Sequence, residues 1–420
     1  MTPDRVQLVI GTAPTRDFGR RLDTWTEYRF SEDLFTPAND FSFKLALSSA
    51  GKSGQEVSEE YIEKVCELTQ PDTIVRLELE GELLAVGIID MQFIGGDLNE
   101  EYIEITGRDP AQVLLDNEVD PKLKLARDTT LPAIAETILE RYRGHGIRFD
   151  VQSDNRSNRS VLTGNVKPLS DSRKVKTSKG TATASFGEGP PPDFVKQTIA
   201  DARPHPGETE WDFLHRHAQN LGVIAMMGAN GDLIFTTPDY DQAEQYFFCR
   251  YRDRDRSHQN NILSGGRRYN HAGTATSVHV LGRGSLYRSV DPTVKTRRKT
   301  KKKPKIHATA KTDRSFIWPR ERFIRDSNPK DNDQALRTAR RELAHRNANA
   351  VVYDYTVAGH SAADGKRYAC DTMAHVVDEA MRPRVDASVY MTKRQIQKRL
   401  AAQNATTTQV TMVPKGAIVL

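Results

Sequence analysis

Alternation at a period of two, broken by tight-turn residues, constrains this chain more than any other feature. Val75, Leu77 and Leu79 alternate with Arg76, Glu78 and Glu80. Gly81 interrupts, and Leu83 to Ile89 resumes as an apolar run. Side chains on a strand point to opposite faces in turn, so this pattern predicts a hairpin around Glu80-Gly81-Glu82. Phe41, Phe43, Leu45 and Leu47 alternate in the same way, and Tyr102 to Thr106 adds a strand that ends at Gly107-Arg108-Asp109-Pro110. Short strands at close spacing imply a small barrel or sandwich over the first third of the chain.

The period changes near residue 110. Leu131, Ile134, Ile138 and Tyr142 recur at helical spacing, with Thr130 at the N-cap, Pro132 in the first turn and Gly144 and Gly146 as stops. Asp154 to Pro192 is rich in Ser, Thr, Asn, Gly, Lys and Pro and reads as a long exposed loop. Order returns at Pro206 to Pro238. Thr209 caps a helix whose buried stripe is Trp211, Leu214, Ala218 and Leu221, and Gly222 supplies the left-handed stop. Val223 to Met227 is a buried strand, Ala229-Asn230-Gly231-Asp232 a turn, and Leu233 to Thr236 the return strand.

From Asn261 the pattern is β again. Ser277 to Leu281 is a strand, and Ala335, Leu336, Ala339 and Leu343 form a helix stripe. Val351 to Val357, Val385 to Met391 and Thr406 to Met412 alternate as strands. Lys393 to Gln403 reads as a short helix inserted before the last of these. The fold class is therefore α+β and β-rich. Residues 1–110 and 246–420 are two β domains, and 111–245, with the loop 154–192, is an α+β middle region.

The 420 residues suffice for roughly two to four domains, and the formal net charge is only +5. Much of that excess is local, since Lys295 to Lys305 carries eight Lys or Arg and no acid. Charge over the whole chain is thus no argument for DNA binding. Three separated cysteines, Cys66, Cys249 and Cys370, form no C-x-x-C pair, which fits synthesis in a reducing cytoplasm. No apolar window reaches the ~18 residues of a membrane span, so no membrane insertion is expected.

A search for chemistry returns little. His215 and His217 are two apart on a helix and point roughly 200° apart, so with His205 they make a poor metal site. Asp109 with Asp128 is one acid/base nomination. Glu78, Glu80 and Glu82 are another, but they read as the solvated face of a strand. Gly282-Arg283-Gly284 and Gly265-Gly266 lack a phosphate-loop context, and no nucleophile elbow is present. No catalytic, cofactor-binding or metal-ligating residue is assigned.

Three strings, in order along the chain, resemble the baseplate hub proteins of contractile phage tails. They are Ile105 to Asn117 (ITGRDPAQVLLDN), His205 to Pro238 (HPGETEWDFLHRHAQNLGVIAMMGANGDLIFTTP) and Ala335 to Thr372, which opens on a helix (ALRTARREL) and ends past an Asp-Gly turn. The likeness is to the Mu-like hub and late control protein D group, related to the N-terminal part of type VI secretion spike proteins. His360 stands where that group usually has an aromatic residue. The resemblance implies a structural, non-enzymatic homotrimer. Each chain would give two tail-tube-like barrels, and three chains would form a ring joining a sixfold tube to a threefold central spike. The implied partners are the spike, the tail tube or tube-initiator protein, other baseplate proteins and the tape measure protein. DNA would pass through the channel without specific binding. The implied location is the virion tail baseplate, after synthesis in the host cytoplasm.

The basic run then falls on an insertion, 290–331, of the second β region. It admits three readings: a solvated loop, a contact with DNA in the channel, or docking to acidic surfaces of neighbouring proteins through Arg297, Arg298, Lys299, Lys301, Lys302 and Lys303. No aromatic residue interleaves with those cations, which removes the base-stacking signature of a single-strand binder. A free nucleic-acid-binding protein using 295–305 is the alternative function. It needs a reading element, either a recognition helix or exposed aromatics on a sheet, and the sequence offers neither.

Overall fold

A computed structural model describes residues 6–12, 17–22, 25–49, 59–96, 100–126, 128–142, 151–153, 171–177, 180–186, 198–199, 202–282, 307–312, 318–326, 332–348, 350–398 and 406–418. It is a β-rich α+β protein. The N-terminal strands are β1 (Val6–Thr12), β2 (Asp17–Leu22), β3 (Glu27–Asp33), β4 (Asp40–Ser49), β5 (Ile74–Leu79), β6 (Glu82–Gly96) and β7 (Glu100–Arg108), with helix α1 (Glu59–Leu68) between β4 and β5. The middle holds α2 (Ala111–Asp116), β8 (Thr129–Thr130), α3 (Leu131–Leu139), β9 (Val151–Ser153), β10 (Asp171–Thr177), β11 (Gly180–Phe186), β12 (Thr198–Ile199), α4 (Glu210–Asn220), β13 (Ile224–Met227) and β14 (Leu233–Thr236). Then follow β15 (Tyr246–Arg250), β16 (Ile262–Tyr269), β17 (Ser277–Gly282), β18 (His307–Lys311), β19 (Glu321–Asp326), α5 (Asn332–Ala348), β20 (Val351–Ala358), β21 (Thr372–Asp378), β22 (Val385–Lys398) and β23 (Thr406–Pro414).

The chain forms two compact units. One comprises Met1–Gly266 and Tyr353–Met412, the other Arg267–Val352 and Val413–Leu420. The larger unit is organised by a 13-stranded sheet running β16-β20-β23-β22-β3-β4-β7-β6-β5-β1-β2, with β15 and β21 branching from β22. Strands from the two ends of the chain thus share one sheet, joined where β22 pairs antiparallel with β3. Leu8, Phe30, Phe43, Leu77, Ile103, Ile105 and Ile396 pack into a core on one face, against Tyr61, Ile62 and Val65 of α1. The α+β middle has its own core of α2, α3, α4, β13 and β14, centred on Leu131, Ile134, Trp211, Phe213, Leu214 and Phe235.

Local signals decide several boundaries. Thr209 Oγ1 accepts the Asp212 amide at 3.0 Å and caps α4. Gly222 follows that helix at φ +72°. Its N–H donates to Gln219 O at 3.0 Å, and the Val223 N–H donates to Ala218 O at 3.0 Å, so two terminal carbonyls are satisfied by a left-handed stop.

Three expectations are corrected. The stretch 154–192 is not simply a loop, because β10 and β11 pair antiparallel within it from Asp171↔Phe186 to Thr177↔Gly180. Small and β-branched residues such as Thr181 and Thr183 make strands without the large apolar side chains that advertise them. Lys393 to Lys398 is not helical. It continues β22, because in-register pairing with β3 from Lys393↔Asp33 to Lys398↔Tyr28 outweighs local propensity. Finally, Glu78, Glu80 and Glu82 are not one solvated face. Glu80 sits in the turn at φ +53°, and Glu78, on the face opposite Leu77 and Leu79, is buried beside Arg21 (3.6 Å) and Arg76 (3.5 Å).

Candidate assembly surfaces

The Gly107-Arg108-Asp109 string links the large sheet to the middle region, and each residue has a separate task. Gly107 is the next-to-last residue of β7 and lies under the ring of Phe41. Arg108 forks onto Asp90 at 2.8 and 3.1 Å and reaches Asp116 at 3.2 Å. Asp109 is buried, and its carboxyl accepts the Ala111 and Asn39 amides, each at 2.9 Å. Burial raises this carboxyl to about 7, against the two amide donors that lower it. A carboxylate committed to two backbone amides is a fastener between β7, α2 and the turn at Asn39. It is not placed as half of an acid/base pair.

Two carboxylates of the middle region are fasteners as well. Glu210 is buried and receives Arg141 Nη1 at 2.6 Å and the Tyr142 hydroxyl at 2.5 Å, which ties the turn Glu140–Tyr142 after α3 to α4. Burial pushes its pKa up, while Tyr142 and Arg141 oppose the shift. Glu208 lies the other way: burial would raise it, but hydrogen bonds from Arg216 at 2.7 and 2.9 Å bring it below the usual range. The histidines separate as their spacing predicts. His215 stacks on Trp211, whereas His217 meets Phe213 edge-on at 4.8 Å. Among the described residues, no three His, Cys, Asp or Glu side chains come together as metal ligands. None of the helices there is long and apolar enough to cross a membrane.

His217 carries a pH prediction. It is 2% exposed, and neither ring nitrogen has a hydrogen-bond partner. Burial, with Arg216 nearby, lowers its pKa from 6.5 to about 4. The folded protein therefore holds a neutral imidazole where the unfolded chain binds a proton. Its contribution is complete above pH 6.5 and is lost as the pH falls from 6.5 to 4. The raised carboxyl of Asp109 works with the opposite sign, so a variant is needed to isolate the histidine. His217→Leu should flatten the acid limb, removing up to ~3 kcal/mol of pH dependence. Urea unfolding of both proteins at neutral pH and near the folded pKa measures this; parallel losses in the two would refute it.

The outward face of the large sheet is polar and half-exposed. Glu27, Arg29, Ser42, Lys44, Tyr102, Glu104 and Gln397 line a groove of ≈ 250 Å³ on it. The cations here are matched: Arg29 with Asp40 at 2.8 Å, Lys393 with Asp33 at 3.5 Å, and Lys44 over the Tyr102 ring at 4.1 Å. At the far end of β6 the surface turns apolar, with Met91 and Phe93 nearly half exposed and Phe93 leaning on Tyr102 at 5.9 Å. Periodicity foretold the strand β6 but not that its distal half leaves the core.

His360, read as a substitute for an aromatic, is buried and keeps the aromatic contact. It stands edge-on to Tyr28, accepts or donates to the Tyr28 hydroxyl at 2.8 Å, and bonds Thr408 at 3.1 Å. Arg297, Arg298, Lys299, Lys301, Lys302 and Lys303 lie outside the described residues.

No family model and no curated protein matches the chain. Solved structures do, from end to end. The chain is similar to the tail protein from Neisseria meningitidis MC58, at 18% identity over 99% of this chain and 98% of that one, with a TM-score of 0.68. It is equally similar to the 43 kDa tail protein of prophage MuSo2 from Shewanella oneidensis, at 16% identity over 99% of both chains and a TM-score of 0.68. A chain of the lidless PdpA–VgrG complex aligns at 9% identity over 99% of this chain and 65% of that one, with a TM-score of 0.51. The fold is that of phage tail proteins. Within that class, it is the fold of the Mu-like 43 kDa tail protein over the full length of both chains.

Proposed function

We propose that this protein is the structural baseplate hub of a contractile phage tail. The observation that carries the reading is the end-to-end likeness to two tail proteins. In this reading residues 1–110 and 246–420 supply the two tube-like barrels, and 111–245 is the α+β region between them. Three chains form the ring that adapts a sixfold tube to a threefold spike. Its partners are the central spike protein, the tail tube or tube-initiator protein, other baseplate proteins and the tape measure protein. The spike assignment draws on the likeness to a chain of a VgrG complex. The protein works in the virion tail after synthesis in the host cytoplasm.

The matched charges of the polar sheet face support a channel role. A face whose Arg29, Lys44 and Lys393 already have partners offers passing DNA no row of free cations to grip. The cations Arg297, Arg298, Lys299, Lys301, Lys302 and Lys303 are assigned to protein docking. The role is non-enzymatic, a reading supported by the nominated Asp109 and Glu78, which are engaged in hydrogen bonds from backbone amides and in ion pairs.

The test is native mass. The expected result is three chain masses, alone or with the spike protein. A monomer even in the presence of the spike would overturn the reading. Immuno-labelling of purified virions separates a tail component from a free nucleic-acid binder, which would be absent from the particle.

A further inference from the structure

The two units carry opposite charge. Over its described residues the smaller unit holds 11 Lys or Arg against 4 Asp or Glu, a formal +7. The larger unit holds 26 Lys or Arg against 40 Asp or Glu, a formal −14. Helix α5 gives the positive charge a surface. It covers one face of the sheet β18-β17-β19, where Ala335, Ala339 and Leu343 pack on Val278, Val280, Ala308 and Ala310. The opposite face of the sheet is open, with Phe323 65% exposed. Arg337, Arg341 and His345 each follow a residue of the buried stripe by two positions, so they stand roughly 200° round the helix from it. Arg340 is three residues after Arg337 and flanks that row. Arg337, Arg340 and His345 are exposed. Neither Arg337 nor Arg340 has an ion-pair partner among the described residues, whereas Arg346 is matched by Glu342 at 2.6 Å.

Helix α1 of the larger unit presents the complementary surface. Tyr61, Ile62, Val65, Cys66 and Leu68 pack toward the core. Glu60, Glu63 and Glu67 recur at helical spacing on the other side, are exposed, and have no ion-pair partner among the described residues. Lys64 is the one cation of the helix. Glu60, in the first turn, suits the helix dipole. Glu67 lies in the last turn, where a carboxylate opposes the dipole and no basic residue offsets it. The stability of α1 itself therefore does not account for this acidic row.

We propose that the cationic face of α5 in one chain docks on the acidic face of α1 in the next chain of the ring. The proposal rests on the trimeric hub reading and gives it a junction. Charge selects a second copy as the occupant, because each copy supplies one face of either sign. The rows also match in length: Arg337 to His345 spans about 12 Å of helix and Glu60 to Glu67 about 10 Å. A single exposed ion pair is a weak bond, so the rows decide which surfaces meet and in what register, and the remaining contact area supplies affinity. DNA is the competing occupant of a basic helix face. The −14 of the larger unit disfavours it, since that charge repels a polyanion and attracts the smaller unit.

The test uses the full chain, two charge-reversed variants and sedimentation velocity at low salt. One variant carries Arg337→Glu with Arg340→Glu, the other Glu63→Lys with Glu67→Lys. All four side chains are exposed, so the variants keep the fold, which circular dichroism checks. Each variant alone should self-associate about tenfold or more weakly than the parent. An equimolar mixture of the two should associate again, because every junction between unlike copies then joins opposite charges. All four substitutions in one chain should restore the trimer. A trimeric parent whose variants are equally trimeric overturns this contact and leaves the hub reading standing. A parent that stays monomeric even with the spike protein overturns both. Variants that dissociate alone and do not associate on mixing also overturn it, since the contact then lies within one chain. Duplex DNA bound by the parent and lost in the α5 variant, with the oligomer unchanged, replaces it with nucleic-acid binding.

Discussion

Gly107→Val is expected to destabilise the protein by about 3 kcal/mol or more, among the larger single-residue effects. A Cβ at Gly107 would lie 2.3 Å from the Ile88 carbonyl oxygen and 2.4 Å from Cζ of Phe41. Phe41 is 2% exposed and also lies over Gly87, where a Cβ would come within 2.4 Å of Cε1. The ring therefore occupies the space two glycines leave open on neighbouring strands, and it has no room to retreat. The carbonyl can move only by disturbing the β6–β7 ladder, in which Gly107 pairs with Ile89. Gly19 is the control, since a Cβ there meets nothing within 4 Å. Thermal or urea unfolding should show Gly19→Val near the parent and Gly107→Val far below it. Equal stabilities would mean that Phe41 does not sit where described.

Gly107 also illustrates what sequence can and cannot give. The string Gly107-Arg108-Asp109-Pro110 announces the end of a strand from turn chemistry alone. That Gly107 must be glycine because of Phe41, far away in sequence, is a tertiary fact with no local signature. The same division holds elsewhere. Thr209, the Trp211–Leu214–Ala218 stripe and Gly222 are legible because capping and amphipathic periodicity are local physics. The β10–β11 hairpin was hidden because its residues carry little apolar pattern. Glu78 escapes a sequence reading because alternation gives its face but not the side chains beside it, here Arg21 from another strand. The open face of the smaller unit escaped for a related reason: alternation in Ser277 to Leu281 marks a strand but cannot tell which face a helix will cover.

The second large effect lies at the join between the two ends of the chain. Arg394 of β22 and Glu32 of β3 are register partners, 4% and 6% exposed, and Arg394 Nε donates to the Glu32 carboxylate. Arg394 Nη1 also donates to the Tyr368 carbonyl, and the Cys370 thiol reaches the Glu32 carbonyl at 3.6 Å. In sequence, Arg394 stands among Lys393, Gln395 and Gln397 and reads as a surface charge. Only the pairing of residues 362 positions apart buries it. Arg394→Ala leaves a buried carboxylate without its cation, and Glu32→Ala leaves a buried guanidinium without its anion. Each should cost ~3–5 kcal/mol, whereas the double replacement Glu32→Leu with Arg394→Met removes both charges together and should cost far less. Amide hydrogen exchange localises the effect: in either single variant, Phe30 and Ile396, paired across the same join, should lose protection before the strands β5 and β6 do. A single variant within ~1 kcal/mol of the parent, or uniform loss of protection across the sheet, would show that this pair does not hold the two ends of the chain together.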